Sequence, residues 1–337
     1  MGLILSKEYN NLLGVRETER AIKLTRELFE KKLCEKLNLE RVSAPLFVLD
    51  GQGINDDLNG VERSVAFDIP ALGKDVTAQI VHSLAKWKRL TLGEYKCFNV
   101  GDGIYTNMNA IRRDEELDNL HSVYVDQWDW ERIIAKEDRN EKYLKETVRN
   151  IVDTVYEVSE ELNKTYPVLK NKISKEITFI TSEDLLQMYP GMTAKEREAA
   201  ITKEKKTVFV MKIGDKLSDG TKHDGRAPDY DDWALNGDIL FWHDVLDCPL
   251  ELSSMGIRVS PESLREQLKK SGHEERETLY YHKKLLNGEL PYTIGGGIGQ
   301  SRLCMLLLQK AHIGEVHASV WPKDMMKKCQ EKGMFFL

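Results

Sequence analysis

Ser122-Val123-Tyr124-Val125-Asp126-Gln127-Trp128-Asp129-Trp130-Glu131 alternates as a β-strand does, and it answers an earlier alternating run, Ile104-Tyr105-Thr106-Asn107-Met108-Asn109-Ala110-Ile111. Charged Arg112-Arg113-Asp114-Glu115-Glu116 supplies the connection, so the two runs read as one long hairpin. Successive side chains on a strand point to opposite faces. Gln127, Asp129 and Glu131 therefore share one face, and Trp128 and Trp130 share the other. A strand open to solvent has such a polar face; so does a strand that floors a polar pocket.

Upstream, residues 16–38 predict an amphipathic helix, with Ile22, Leu28, Phe29, Leu33 and Leu37 near helical spacing. A short strand over 39–45 is stopped by Pro45. Residues 50–60 read as a loop, 61–69 and 76–81 as strands, and 82–92 as a compact helix. Downstream, the stripe Leu144, Val148, Ile151, Val152, Val155, Val158 and Leu162 predicts a helix over 140–164. Thr193 and Glu196 form a capping box for a helix to about 205, and a buried strand follows over 207–211. Residues 214–236 show no period. Strands are expected at 238–242 and 250–259, then helices from Pro261 to Gly272 and over about 274–287. A glycine-rich turn at 295–299 leads into an apolar helix.

The 337 residues hold 49 Lys+Arg against 55 Asp+Glu, a formal charge of −6. That balance argues against a chain whose main task is to wrap nucleic-acid backbone. The length suits two domains or one large unit. No apolar run approaches the roughly 20 residues of a membrane span, and Leu3-Ile4-Leu5 is too short for a signal-peptide core. Met1 to Ser6 matches the permissive myristoylation pattern, on which nothing is built. The five cysteines include no C-x-x-C pair, and their odd number disfavours a disulfide framework, so a reducing cytoplasm is expected.

The glycines at 295–299 end in neither the Gly-Lys-Ser/Thr of a P-loop nor the pattern of a dinucleotide fingerprint. Arg302 just beyond them is either a salt-bridged helix-start residue or an anion ligand. Glu251 and Ser253 fall on one face of a predicted strand and Asp238 on the strand before. The two acids are either a Mg²⁺ pair or strand acids satisfied by lysines. In His82-Ser83-Leu84-Ala85-Lys86-Trp87-Lys88-Arg89 no nucleophile elbow surrounds Ser83, and Lys86, Lys88 and Arg89 read as a solvated face or anion contacts. The eight histidines form no zinc motif. From the residues alone the chain reads as an α/β enzyme with an anion-rich site.

Taken together, these clusters resemble the three motifs of class II aminoacyl-tRNA synthetases. Motif 1 corresponds to about 16–45, motif 2 to about 104–131 with Arg112 and Gln127-Trp128-Asp129, and motif 3 to about 295–308 with Arg302. The blocks Val81 to Arg89, His121 to Glu131, Arg226 to Trp233, Leu235 to Asp238, Glu251 to Arg258 and Gly295 to Arg302 resemble one branch more closely. That branch is the ammonia-dependent asparagine synthetase (aspartate–ammonia ligase) family. The resemblance implies an α+β catalytic core, an antiparallel sheet flanked by helices, forming one domain over 1–337. It implies a cytoplasmic homodimer built through the motif 1 region, with ATP, Mg²⁺, L-aspartate and ammonia as reactants and neither nucleic acid nor membrane as partner. Asparagine would form through a β-aspartyl-adenylate, releasing AMP and diphosphate. Activating the carboxylate in this way requires positioning and charge neutralisation, not a protein nucleophile.

Carried over, Arg112 meets the α-phosphate, Arg302 the ATP, and Gly297 lies at the nucleotide. Asp238 and Glu251 hold Mg²⁺. Lys88 and Arg258 grip the aspartate carboxylate that must not react, and Asp56, Gln127 and Asp129 surround its ammonium. Ser83, Asp231 and Ser254 complete the site. One departure stands out: only Ala234 separates Trp233 from Leu235, where the family carries a longer insertion, so a lid is expected to be shortened. Three rivals share some features. A tRNA-charging synthetase is expected to carry an anticodon domain, for which the residues before the first helix leave no room. A silent paralogue would have lost the charges that Arg112, Asp238, Glu251 and Arg302 retain. A glutamine-dependent enzyme would carry an N-terminal cysteine where this chain has Gly2.

Overall fold

The computed structural model of the protein describes residues 2–6, 9–56, 58 and 62–337. The expected hairpin forms, as β5 and β6 below. It lies within a sheet of eight strands. Part of the loop over 50–60, the first residue of the strand over 61–69, and Met1 lie outside the described residues.

In chain order the elements begin with α1 (Val15–Leu37), β1 (Leu39–Arg41), β2 (Phe47–Leu49), β3 (Ala66–Asp68) and β4 (Thr77–Ile80). Next come α2 (Ala85–Tyr95), β5 (Gly103–Ile111), β6 (Tyr124–Ile133) and α3 (Glu141–Thr165). Then follow β7 (Thr178–Thr181), α4 (Ser182–Met188), α5 (Ala194–Lys205), β8 (Thr207–Met211), β9 (Asp231–His243) and β10 (Cys248–Arg258). The chain ends with α6 (Pro261–Ser271), α7 (Tyr280–Leu286), β11 (Thr293–Gly299), α8 (Gln300–Leu307) and α9 (Lys323–Gln330).

The large sheet runs β1-β5-β6-β11-β10-β9-β8-β7, with β2-β4-β3 as a small separate sheet. The strands from β5 to β8 pair antiparallel, while the outer pairs β1–β5 and β7–β8 are parallel. Long α1 and α3 cover one face. Trp128 and Trp130 point into that layer, Trp128 packing 4.7 Å from Phe29 of α1. Burying an indole of this kind contributes about 2–3 kcal/mol. Lys32 and Lys36 of α1 bond Glu157 of α3, tying the two helices along their outer edge. The opposite face of β6 carries Gln127, Asp129 and Glu131 toward the interior of the site.

Four sequence expectations change. The 295–299 glycines form the central strand β11 and not a turn. Gly295 faces Glu131 and Gly297 faces Asp129, and a Cβ on either would run into the Glu131 or Gln127 side chain. The strand expected at 238–242 starts seven residues earlier, with Trp233-Ala234-Leu235 inside a bulge opposite Ile257. The helix over 274–287 divides into a 3₁₀ turn, Glu274–Thr278, and α7. Finally, a bulge between Glu251 and Ser253 breaks the alternation of β10, so Glu251 shares its face with Ser254 and not with Ser253.

Candidate active site

A cavity of about 440 Å³ opens on the polar face of β6, β11, β10 and β9. Asp56, Ser83, Arg112, Gln127, Asp129, Asp231, Asp238, Glu251, Ser254, Arg258, Gly297 and Arg302 all line it. Residues separated by up to 246 positions in sequence are brought together because the central strands pair out of chain order.

One end is built from buried charges. Arg258 donates Nε–H to Glu131 at 3.0 Å and Nη2–H to the same carboxylate at 2.7 Å, and Nη1–H goes to Asp231. Two parallel bonds to one carboxylate fix the guanidinium in plane. Burial raises the Asp231 carboxyl above its ordinary range, with Arg258 and Arg226 only partly offsetting it. Glu131 moves the other way: burial would raise it, but Arg258 and Lys88 hold it low.

Lys88 departs from expectation. It is fully buried and does not line the cavity, as Lys86 and Arg89 are also buried and not solvated. Its ammonium bonds Asp129 Oδ1, donates to Trp130 O at 2.9 Å, and stands 3.8 Å from Glu131. Burial lowers its pKa despite those carboxylates. Lys88 therefore props Asp129 from below. The second Asp129 oxygen accepts Leu84 N–H at 3.1 Å, so this carboxylate is aimed from both sides.

The other end holds Asp238, Glu251, Arg226 and Arg302. Arg226 donates to Asp238 Oδ1 at 2.6 Å and to Ser254 Oγ at 2.5 Å. Arg302 Nη1 donates to the Glu251 backbone oxygen at 2.8 Å and lies 3.8 Å from its carboxylate. Burial lifts Asp238 to about 7 against the pull of Arg226, and Glu251 adds to the rise. Burial also pushes Glu251 up, yet Arg302, Lys195 and Arg226 bring it below its usual value. Among the described residues no three His, Cys, Asp or Glu side chains form a metal cluster. Two carboxylates that repel one another across a cavity do fit Mg²⁺, which takes one or two carboxylates and completes its shell with water and phosphate oxygens.

Arg302 is placed through its neighbour. Ser301 donates N–H to Asp126 Oδ1 at 3.0 Å and its hydroxyl to Oδ2 at 2.8 Å, while Arg26 of α1 bonds Oδ2 at 2.7 Å. His317 stands 2.7 Å from Ser301 Oγ. Arg112 follows β5, its N–H bonded to Val123 O at 2.8 Å; its buried Nε has no partner among the described residues. Ser83 Oγ accepts Ala85 N–H at 3.1 Å at the start of α2.

Sequence reasoning assigned no role to Arg226, Glu131 or Lys195, all of which belong to this arrangement. Glu131 had a signal, its place on the polar face of β6. Arg226 lay inside a resembling block but in an aperiodic stretch. Lys195, second in a capped helix, carried no signal.

A family model described as aspartate-ammonia ligase matches residues 16–333. A protein named aspartate–ammonia ligase from Clostridium tetani is 61% identical over 335 residues, covering 99% of this chain and 98% of its own. Another so named, from Lactobacillus johnsonii, is 60% identical over 331 residues, covering 98% of each. Among solved structures, asparaginyl-tRNA synthetase from Pyrococcus horikoshii complexed with asparaginyl-adenylate aligns with a TM-score of 0.62 at 15% identity, covering 90% of this chain and 70% of that one. The Entamoeba histolytica asparaginyl-tRNA synthetase gives 0.61 at 14%, covering 90% of this chain and 66% of that one. At such identity the likeness concerns the class II synthetase fold alone, as expected from the three motifs. No helix among the described residues is long and apolar enough to cross a membrane. The match over nearly the whole chain settles membership: this chain belongs to the aspartate–ammonia ligase family.

Proposed function

We propose that this chain makes L-asparagine from L-aspartate, ammonia and ATP through a β-aspartyl-adenylate, releasing AMP and diphosphate. One observation carries the reading. A single cavity joins an end built of paired buried charges (Asp129–Lys88 and Arg258–Glu131–Asp231) to an end with two acids, Arg226 and Arg302. The first suits a zwitterionic amino acid, the second a polyphosphate with its cation.

Arg258 spends three N–H groups on Glu131 and Asp231. Its remaining hydrogens grip the α-carboxylate of aspartate, while Asp56, Gln127, Asp129 and Asp231 receive the ammonium, with Ser83 and Ser254 at the edges. Held so, the β-carboxylate oxygen attacks the α-phosphorus and the bond to the β-phosphate oxygen breaks. Arg112 and Arg302 neutralise charge on the phosphates, and Gly297, whose missing side chain makes room for Gln127, lines the cavity beside the nucleotide. Asp238 and Glu251 would hold Mg²⁺, which would supply further neutralisation. Ammonia then adds to the carbonyl carbon, AMP departs, and the surplus proton leaves through the carboxylates at that end. We read 1–337 as one catalytic unit, acting in the cytoplasm as a homodimer through the α1 region and without a nucleic-acid partner.

The test incubates purified protein with aspartate, ATP, Mg²⁺ and ammonium, without tRNA. Asparagine and AMP in equal amounts support the reading, whereas ADP or no product would sink it.

A further inference from the structure

Lys195 stands in the same cavity with no role in the scheme above. It is the second residue of α5, whose start is set by Thr193, the Thr193 N–H bonding Glu196 at 2.8 Å. Glu198, three residues on, turns inward and meets His223 Nε2 at 2.9 Å. Residues three apart share a helix face, so the register that buries Glu198 also directs Lys195 to the cavity rim.

The carboxylates that act on Lys195 most are Glu198, Glu251, Asp224 and Asp238, and together they raise its pKa against the effect of burial. Two of these belong to the polyphosphate end; none is Asp129, Glu131 or Asp231 of the amino-acid end. Yet among the described residues Lys195 makes no ion pair within 4.0 Å. Three of the four acids face other cations, Asp238 bonded to Arg226, Glu198 to His223 and Glu251 3.8 Å from Arg302, and Asp224 accepts the Gly225 N–H at 2.7 Å. A charged lysine held over the rim and left unspent is suited to an anion that enters from solution. Arg226 spends charge on Asp238.

We propose that Lys195 binds the diphosphate portion of ATP, the part that leaves on adenylation. This rests on the reading above. When the α-phosphorus–oxygen bond breaks, its electron pair stays on the β-phosphate oxygen, and Lys195 stabilises the charge carried off. It is a binding residue at the leaving group, supplied by a helix outside the three motifs.

The experiment measures calorimetric binding of AMP, ATP and inorganic diphosphate, each with Mg²⁺, to wild type, Lys195→Ala, Lys195→Glu and Lys195→Arg. Losing one charge-assisted contact weakens ATP and diphosphate about tenfold or more in Lys195→Ala. Lys195→Glu weakens them further, Lys195→Arg restores most of the loss, and AMP binds all four alike. Equal losses for AMP and ATP, or no loss for either, would overturn the proposal. Wild-type product analysis is run alongside: AMP with asparagine upholds the functional reading whatever Lys195→Ala does, and ADP overturns that reading separately.

Discussion

Gly295 of β11 lies directly opposite Glu131 of β6, and the space a methyl group would need at Gly295 is filled by the Glu131 carboxylate, Arg258 Nη2 and Trp130 O. Backbone approaches closely here so that the ion pair of Glu131 and Arg258 can lie flat under the cavity.

Gly295→Ala should therefore cost about 1–3 kcal/mol through overpacking and raise KM for aspartate. Gly14→Ala, where a new Cβ meets nothing within 4 Å, is the control. Equal thermal midpoints for the two variants would contradict the packing argument.

Glu131→Gln removes a buried charge while leaving Arg258 in place. Breaking one side of such a pair costs about 3–5 kcal/mol. Urea unfolding measures that loss. Steady-state kinetics should show KM for aspartate rising by more than tenfold with KM for ATP little changed, since the Arg258 contacts belong to the amino-acid end.

His243 and His312 are both pushed by burial from 6.5 down to about 4. Above pH 6.5 both states of the chain hold them neutral and they contribute nothing to pH dependence. Between pH 6.5 and 4 the unfolded chain takes up protons that the folded chain refuses, so stability falls as pH falls. The slope is about 1.4 kcal/mol per pH unit for each group. Denaturant unfolding from pH 7 to 4.5 should show His243→Gln losing about 1.4 kcal/mol less per pH unit than wild type, on top of the opposite slope that Asp238, lifted to about 7, contributes in the same window.

Removing divalent metal with EDTA should abolish AMP formation, and added Mg²⁺ should restore it. Asp238→Asn and Glu251→Gln should each raise the Mg²⁺ needed for half-maximal rate by at least about tenfold, because each removes one of two carboxylate donors. A Mg²⁺ dependence unchanged in both variants would dismiss them as the cation site.

Local pattern foretold what depends on local period. The alternation at 122–131 places Gln127 and Asp129 opposite two tryptophans, and the apolar stripes of α1 and α3 foretell the layer those tryptophans enter. What failed depended on neighbours distant in sequence. The glycines of 295–299 look like a turn until β6 and β10 are seen on either side, crowding out a side chain at Gly295, Gly296 and Gly297. Glu251 and Ser253 look like one face until a single bulge reverses the parity between them. The parallel edge pairs, β7 and α4 carry signals too short to separate from their surroundings.

The sequence by itself determined which residue types reach the site, through motifs whose spacing survives in the chain, and it determined the faces of the regular elements. Tertiary structure alone decided depth and pairing. Lys88, read as part of a solvated face or an anion contact, is sealed beneath Asp129; Lys195 sits in an ordinary capped helix yet overhangs the cavity with no ion pair among the described residues. Charge is a property of a residue, but whether it is spent internally or offered to a ligand depends on burial and on which opposite charges folding brings within reach.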